Sequence, residues 1–229
     1  IGVFMMKIDI CNVRCRWVNL DSAEENARKM EEQFEQIGLK NHERLSARVV
    51  EPPPETPKTI YHYRGCAQSH IDILESEKET PLLILEDDAK ITEWFNPIVD
   101  NIPDGTDAIY LGVSHGDGRF FAQDIGNNLA KISGVFATHA ILYLTERYKQ
   151  AVIETAKDFV YNKNTPFDLG CAMLQKHFNV ITPHLPYFYQ ADERDSANKW
   201  ENLTKQPLRM MAQNAGALGP GFGAGPQGV

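Results

Sequence analysis

Apolar residues at Ala23, Ala27, Met30, Phe34 and Ile37 recur at alternating spacings of four and three, which lays one stripe along the face of a helix. Ser22 with Glu25 forms a capping-box pattern at its start, and Gly38 stops it. Ahead of it, residues 7–20 carry the strand-like composition of Ile8, Ile10, Val13, Trp17 and Val18. Leu82, Leu83, Ile84 and Leu85 make an unbroken aliphatic run, the pattern of a strand buried on both faces as in a parallel sheet. Further strands are predicted at 108–112 and 139–144. Helices are predicted from near Gly65 through Leu74, from Glu146 to about Val160 with Tyr148, Val152, Ala156 and Phe159 on one side, and from Phe167 to Phe178. Strands and helices in alternation predict an α/β domain.

Punctuation sets the limits of that domain. Pro52, Pro53, Pro54 and Pro57 rule out helix or central strand at 51–57, which reads as an extended, stiff connection. Glycine and proline dominate residues 214–229, which read as a flexible tail, leaving 6–213 as the single domain. No apolar run approaches the roughly 20 residues needed to span a bilayer, and the start at Ile1 to Met6 is too short for a signal peptide.

Charge and cysteines narrow the function classes. A net charge of -8 argues against a broad electrostatic footprint on nucleic acid, although a local basic groove fits inside an acidic average. Cys11, Cys15, Cys66 and Cys171 show no C-x-x-C pair and no zinc-type spacing with histidine. Reduced, packed thiols and a cytoplasmic location are the expectation.

The aliphatic run ends in Glu86, Asp87 and Asp88, where the crevice rule for open α/β sheets places a ligand. Adjacent carboxylates there repel one another, so water, a basic neighbour or a divalent cation must compensate. A cation that also grips a phosphate is the sharpest option. Period-two alternation puts Glu86 and Asp88 on one face and Asp87 on the other. If the strand ends at Glu86, Asp87 becomes the equal of Asp88. The same acids also suit a loop capping a following helix. Asn19 and Asp21 end the first strand and fall in the same crevice, where Asp21 or Ser22 equally serves as a helix N-cap. Ser114 to Gly118 is a turn-rich loop after a buried strand.

The order Val18-Asn19-Leu20-Asp21, Gly65-Cys66-Ala67-Gln68-Ser69-His70, Leu83-Ile84-Leu85-Glu86-Asp87-Asp88-Ala89, Ile109-Tyr110-Leu111-Gly112 resembles glycosyltransferase family 25, over roughly residues 6 to 195. That family includes lipooligosaccharide and collagen galactosyltransferases. The resemblance implies a GT-A, Rossmann-like fold with a mixed, mostly parallel central sheet flanked by helices. It also implies inverting transfer of a hexose, galactose or glucose, from a UDP-sugar to an acceptor hydroxyl. A counterpart of the DXD motif would hold Mn²⁺ or Mg²⁺. Asp88 is the expected metal ligand, with Glu86 on metal or ribose and Asp87 beside them. Asn19 and Asp21 are expected at the nucleotide, and Ser69 and His70 near the donor. A helical histidine beside Ile71, Ile73 and Leu74 equally suits packing. Asp168 matches a family aspartate and is the expected base, with Asp117 in reserve; an acid in a first helical turn also serves the helix dipole. His184, ahead of Asp192, is expected to complete the metal site. Two residues depart from the family pattern: Arg28 matches an expected arginine only approximately, and Arg64 stands where an acid is usual.

Two other readings stay open. One is a catalytically inactive sugar-nucleotide or glycan-binding module of the same fold. The weaker one is a sugar nucleotidyltransferase, which would carry a glycine-rich, basic phosphate loop where this chain has acidic Asp21-Ser22-Ala23-Glu24. The acceptor, a glycan, protein or modified-nucleobase hydroxyl, would be set by loops such as 114–128.

Overall fold

The computed structural model describes residues 5–50, 58–115, 120–191 and 199–214. In chain order these form β1 (Met5–Asp9), β2 (Arg14–Asn19), α1 (Glu24–Ile37), β3 (His42–Ser46), α2 (Lys58–Ser76), β4 (Leu82–Glu86), β5 (Ala89–Ile91), β6 (Ile98–Pro103) and β7 (Ala108–Tyr110). There follow β8 (Ser114–His115), β9 (Phe121–Gly126), β10 (Leu129–Ser133), β11 (Val135–Phe136), β12 (Ala140–Tyr143), α3 (Glu146–Lys157) and α4 (Phe167–Leu174). The chain continues through β13 (Val180–Pro183), β14 (Phe188–Gln190), α5 (Lys199–Thr204) and α6 (Leu208–Asn214).

The central sheet has the order β3-β2-β4-β12-β7-β13-β10-β9. Strands β12 and β10 run against all the others, so the sheet is mixed with one dominant direction, flanked by helices as the α/β pattern predicts. The β4 run is fully buried and its alternation divides the core. Leu83 and Leu85 pack with Trp17 and with Met30 and Phe34 of α1. Leu82 and Ile84 pack on the opposite face with Ile71 and Leu74 of α2 and Tyr148 and Val152 of α3. Each such side chain contributes about 1.5–3 kcal/mol by leaving water. This centres β4 and fixes where its carboxyl end opens.

Several boundaries differ from the sequence pattern. Residues 7–20 are two strands: β1 pairs with β6 outside the main sheet, and a short 3-10 turn, held by Cys11 N–H donating to Asp9 Oδ1 at 3.0 Å, separates it from β2. The capping box does not form. The N-cap of α1 is Ala23 without a side-chain bond, whereas Gly38 closes the helix at φ 73° as expected. Helix α2 begins at Lys58 rather than near Gly65. The second half of the expected loop at 114–128 is instead strand β9 and its turn, which pair with β10 as a hairpin. Asn127 and Asn128 adopt φ of 54° and 65°, the paired left-handed turn whose twist suits a hairpin.

The expected linker at 51–57 and the tail beyond Asn214 lie outside the described residues. Among the described residues no helix is long and apolar enough to cross a membrane. All four cysteines are free thiols; Cys66 is half-buried and the others are buried.

Candidate functional site

Strand β4 ends at Glu86, and Asp87 with Asp88 makes the turn into β5. The parity argument for Asp88 over Asp87 therefore does not apply: both acids leave on a turn, not on strand faces. Glu86 keeps the parity of Leu82 and Ile84 and faces α2. There its Oε1 lies 3.1 Å from His70 Nε2, accepts from Thr138 Oγ1 at 2.7 Å and stands 3.9 Å from Cys66 Sγ. Burial pushes the Glu86 carboxyl up, but the His70 and Thr138 contacts outweigh it and hold the group below its usual range.

Asp87 points the other way. Its Oδ2 accepts from Asn19 Nδ2 at 2.8 Å and Asn26 Nδ2 at 3.1 Å. Asn19 is buried, donates also to Ala23 O at 3.1 Å, and accepts from Arg44 Nε at 3.0 Å. One amide thus joins the ends of β2, β3 and β4 to the start of α1. Asp21 serves as an anchor to β3: it accepts from Ser46 Oγ at 2.8 Å and Arg44 Nη2 at 2.6 Å, which lower its carboxyl. A cavity of about 580 Å³ lies against the start of α1, lined by Ser22, Glu24, Asn26 and Arg28 among others. Asn26 connects it to Asp87. Arg28 itself is turned along its own helix to Glu25 and Glu32.

Asp88 is held from the far end of the chain. Its Oδ2 accepts from Gln190 Nε2 at 3.0 Å, and Ala191 N–H donates to its carbonyl at 2.8 Å. The β14–β5 pairing brings this contact about, and the Gln190 backbone N–H donates to Thr204 Oγ1 of α5 at 2.7 Å. Nothing in the sequence pattern singled out Gln190, because the pairing spans about a hundred residues of chain.

Asp168 stands in the first turn of α4, half-buried, with Leu169 N–H donating to its Oδ1 at 2.8 Å. Burial pushes its carboxyl up, the Leu169 bond draws it partly back, and the Glu86 charge adds to the rise. Burial also raises the Cys66 thiol, helped by Glu86, Asp168 and Asp88. Those four groups form one acidic neighbourhood at the end of β4.

Other expected site residues have internal partners. Ser69 is buried, donates to Gly65 O at 2.8 Å and accepts from Arg48 N–H at 2.9 Å, joining α2 to the chain after β3. His70 is buried against Phe167, ring centroids 4.9 Å apart. Arg64 donates to Asn164 Oδ1 at 3.0 Å and lies over Tyr161. His184 is not brought to Asp88. Its Nε2 lies 3.1 Å from Leu129 O and 3.4 Å from Asp124 Oδ1, and β12 and β7 stand between β13 and β4 in the sheet. Asp117 and Asp192 lie outside the described residues.

No protein-family profile matches the chain, and no curated protein does. Among solved structures, the chain is similar to the CTP:phosphocholine cytidylyltransferase of Streptococcus pneumoniae, with a TM-score of 0.40 and 10% identity over 83% of this chain and 98% of that one. A glycosyltransferase involved in glycosylation of the major capsid of PBCV-1 gives a TM-score of 0.39 and 12% identity over 83% and 97%. A UTP-bound UGPase from Acinetobacter baumannii gives 0.36 and 13% over 71% and 60%.

Proposed function

We propose that the chain is a metal-dependent inverting glycosyltransferase of the GT-A kind, similar to family 25, that moves galactose or glucose from a UDP-sugar to an acceptor hydroxyl. The observation that carries this reading is the presence of two kinds of carboxylate around the carboxyl end of β4. Asp87 and Asp88 are oriented by side-chain amides at a turn, and Asp168 is a half-buried acid raised by its surroundings.

The turn acids fit a hard divalent cation, since they supply oxygen donors only. Asp87 and Asp88 would hold Mn²⁺ or Mg²⁺, which supplies charge compensation to a leaving diphosphate. Asn19 and Asn26 orient Asp87, and Gln190 orients Asp88. Glu86 is turned to His70 and Thr138 on the α2 side and is not among the ligands of the Mn²⁺ or Mg²⁺ at the turn. Asp168 takes the proton from the acceptor hydroxyl; a raised carboxyl is the better base because its strength is matched more closely to neutral conditions. The cavity at the start of α1 receives the nucleotide side of the donor.

The test is UDP release from a panel of UDP-sugars with and without Mn²⁺, comparing the wild type with Asp88→Ala, Asp87→Ala and Asp168→Asn. Metal-dependent turnover that the first two variants lose supports the reading. Metal-independent turnover, or full activity in both turn variants, overturns it. UDP binding without turnover points to the inactive binding module, and pyrophosphate release from a nucleoside triphosphate and a sugar phosphate points to a nucleotidyltransferase.

A further inference from the structure

We propose that Cys66, His70 and Glu86 form a second cation site, selective for a thiophilic divalent ion of the Zn²⁺ type and separate from the all-oxygen turn of Asp87 and Asp88. Cys66 and His70 are four apart on α2 and so share the face turned to β4, where Glu86 emerges. The three ligand atoms lie within 4.8 Å of one another. His70 Nε2 is 3.1 Å and Cys66 Sγ 3.9 Å from Glu86 Oε1. With bonds of about 2.0–2.3 Å, a tetrahedral zinc centre sets its ligand atoms about 3.3–3.7 Å apart, so the trio needs only small side-chain adjustment to receive an ion.

The surroundings suit that role. Phe167 packs on the His70 ring and fixes its plane, and Thr138 Oγ1 donates to Glu86 at 2.7 Å, the outer-shell support that ligating carboxylates take. His70 Nδ1 is buried with no hydrogen-bond partner among the described residues, so the ring lacks the outer-shell acceptor usual for a metal-bound histidine, and its proton is free to sit on Nδ1 when Nε2 ligates. Cys66 and Glu86 are half-buried and leave an entry side. The donor set of sulfur, imidazole and one carboxylate prefers Zn²⁺ over Mn²⁺ or Mg²⁺. Binding replaces the Cys66 S–H bond with a sulfur–metal bond and releases that proton to solvent, while the Nε2 proton that His70 shares with Glu86 passes to Nδ1 so that Nε2 can ligate. A three-residue set leaves a fourth position for an exogenous ligand, as in catalytic zinc centres.

The test uses the reduced full chain and reads binding, not turnover, so it stands or falls apart from the transferase reading. Co²⁺ is added as a spectroscopic substitute and titrated out with Zn²⁺. A thiolate-to-cobalt charge-transfer band that Zn²⁺ displaces, that Cys66→Ser loses and that Cys11→Ser keeps is the expected result. Absence of the band in wild type, or its survival in Cys66→Ser, overturns the proposal. A check without variants follows alkylation of Cys66 by peptide mass spectrometry: Zn²⁺, but not Mg²⁺, should slow it at least tenfold, and equal rates with and without Zn²⁺ overturn the site.

Discussion

Asn19, at the last position of β2, donates its side-chain amide to Asp87 at 2.8 Å across the carboxyl ends of two adjacent parallel strands. The same side chain accepts from Arg44 at 3.0 Å, so β3 is drawn into the contact. A buried amide here does what a loop cannot: it fixes one carboxylate of the acidic turn against the rigid sheet. The crevice is therefore preorganised on its β2 side by Asn19 and on its β14 side by Gln190.

Replacing Asn19 by Ala removes donors to Asp87 and Ala23 and the acceptor for Arg44. The expected cost is about 1–3 kcal/mol of stability, the range for stranding buried polar partners. Sugar transfer should also need more Mn²⁺ for half-saturation, because Asp87 loses its orientation. Thermal melts and a Mn²⁺ titration of UDP release check both. A normal metal requirement in a destabilised Asn19→Ala protein would confine Asn19 to a structural role.

Asp168→Asn separates chemistry from stability. The proposed role of Asp168 as base predicts a rate loss of roughly 10²–10⁴-fold, and UDP binding should survive its loss. The raised carboxyl gives a sign to the stability effect. A group whose folded pKa lies above its unfolded value favours the folded state below the ordinary carboxylate range, and that advantage is lost as pH rises through the folded value. Near neutral pH the wild type carries the cost of a charged, half-buried acid; Asn does not. Denaturant titrations should therefore show Asp168→Asn more stable than wild type at neutral pH, with the gap closing in acid. A variant less stable at neutral pH would contradict the raised carboxyl.

The parts of this protein legible in its sequence are those governed by local pattern. The stripe through Met30 and Phe34 gave α1, and the aliphatic run gave β4 and the place of its acids, because burial on one or both faces writes itself into period and composition. Strand parity misled at Asp88, since the pattern does not say where pairing stops and the turn takes over at Asp87. The hairpin at 121–133 was missed for a related reason: Phe121 and Asp124 lie on a strand at the sheet edge, where polar positions dilute the alternation. Glu86 reads in sequence as a partner of Asp88 at the turn and in space faces His70 and Cys66 on α2. Gln190 was invisible, as its partner Asp88 is distant in the chain and only the β14–β5 pairing joins them.

At the opposite end of the sheet, Arg147 grips the fully buried Asp107 with two bonds of 2.6 Å, while Thr145 Oγ1 and Asn179 N–H donate to the same carboxylate at 2.7 and 2.9 Å. Burial pushes this carboxyl up, but Arg147 and its neighbours outweigh that and depress it. The sign is opposite to that of Asp168: stability is present above the ordinary carboxylate range and lost as pH falls through the depressed value. Arg147→Ala leaves the buried Asp107 carboxylate without its cation, and although Arg147 itself is 62% exposed and partly screened by water, the variant should be less stable than wild type at neutral pH. The variant should also unfold at a higher pH than wild type on acidification. Coincident acid transitions followed by circular dichroism would remove this account of the clamp.

Gly65 lies inside α2, where exchanging glycine for alanine ordinarily stabilises a helix by about 1 kcal/mol. Here the sign should invert. A Cβ at Gly65 would stand 2.5 Å from the carbonyl oxygen of Arg48, a backbone atom that cannot rotate aside. Helix α2 would have to move off the segment after β3, stretching the Arg48 N–H to Ser69 Oγ bond of 2.9 Å and carrying Cys66 and His70 away from Glu86. Overpacking of this kind costs about 1–3 kcal/mol, enough to outweigh the gain in helix propensity. Gly65→Ala should thus melt at lower temperature than wild type, and it should weaken the cobalt charge-transfer band even at temperatures where the protein stays folded. An unchanged or raised melting temperature would mean that α2 yields without strain, and the glycine would then owe its place to something other than this close approach.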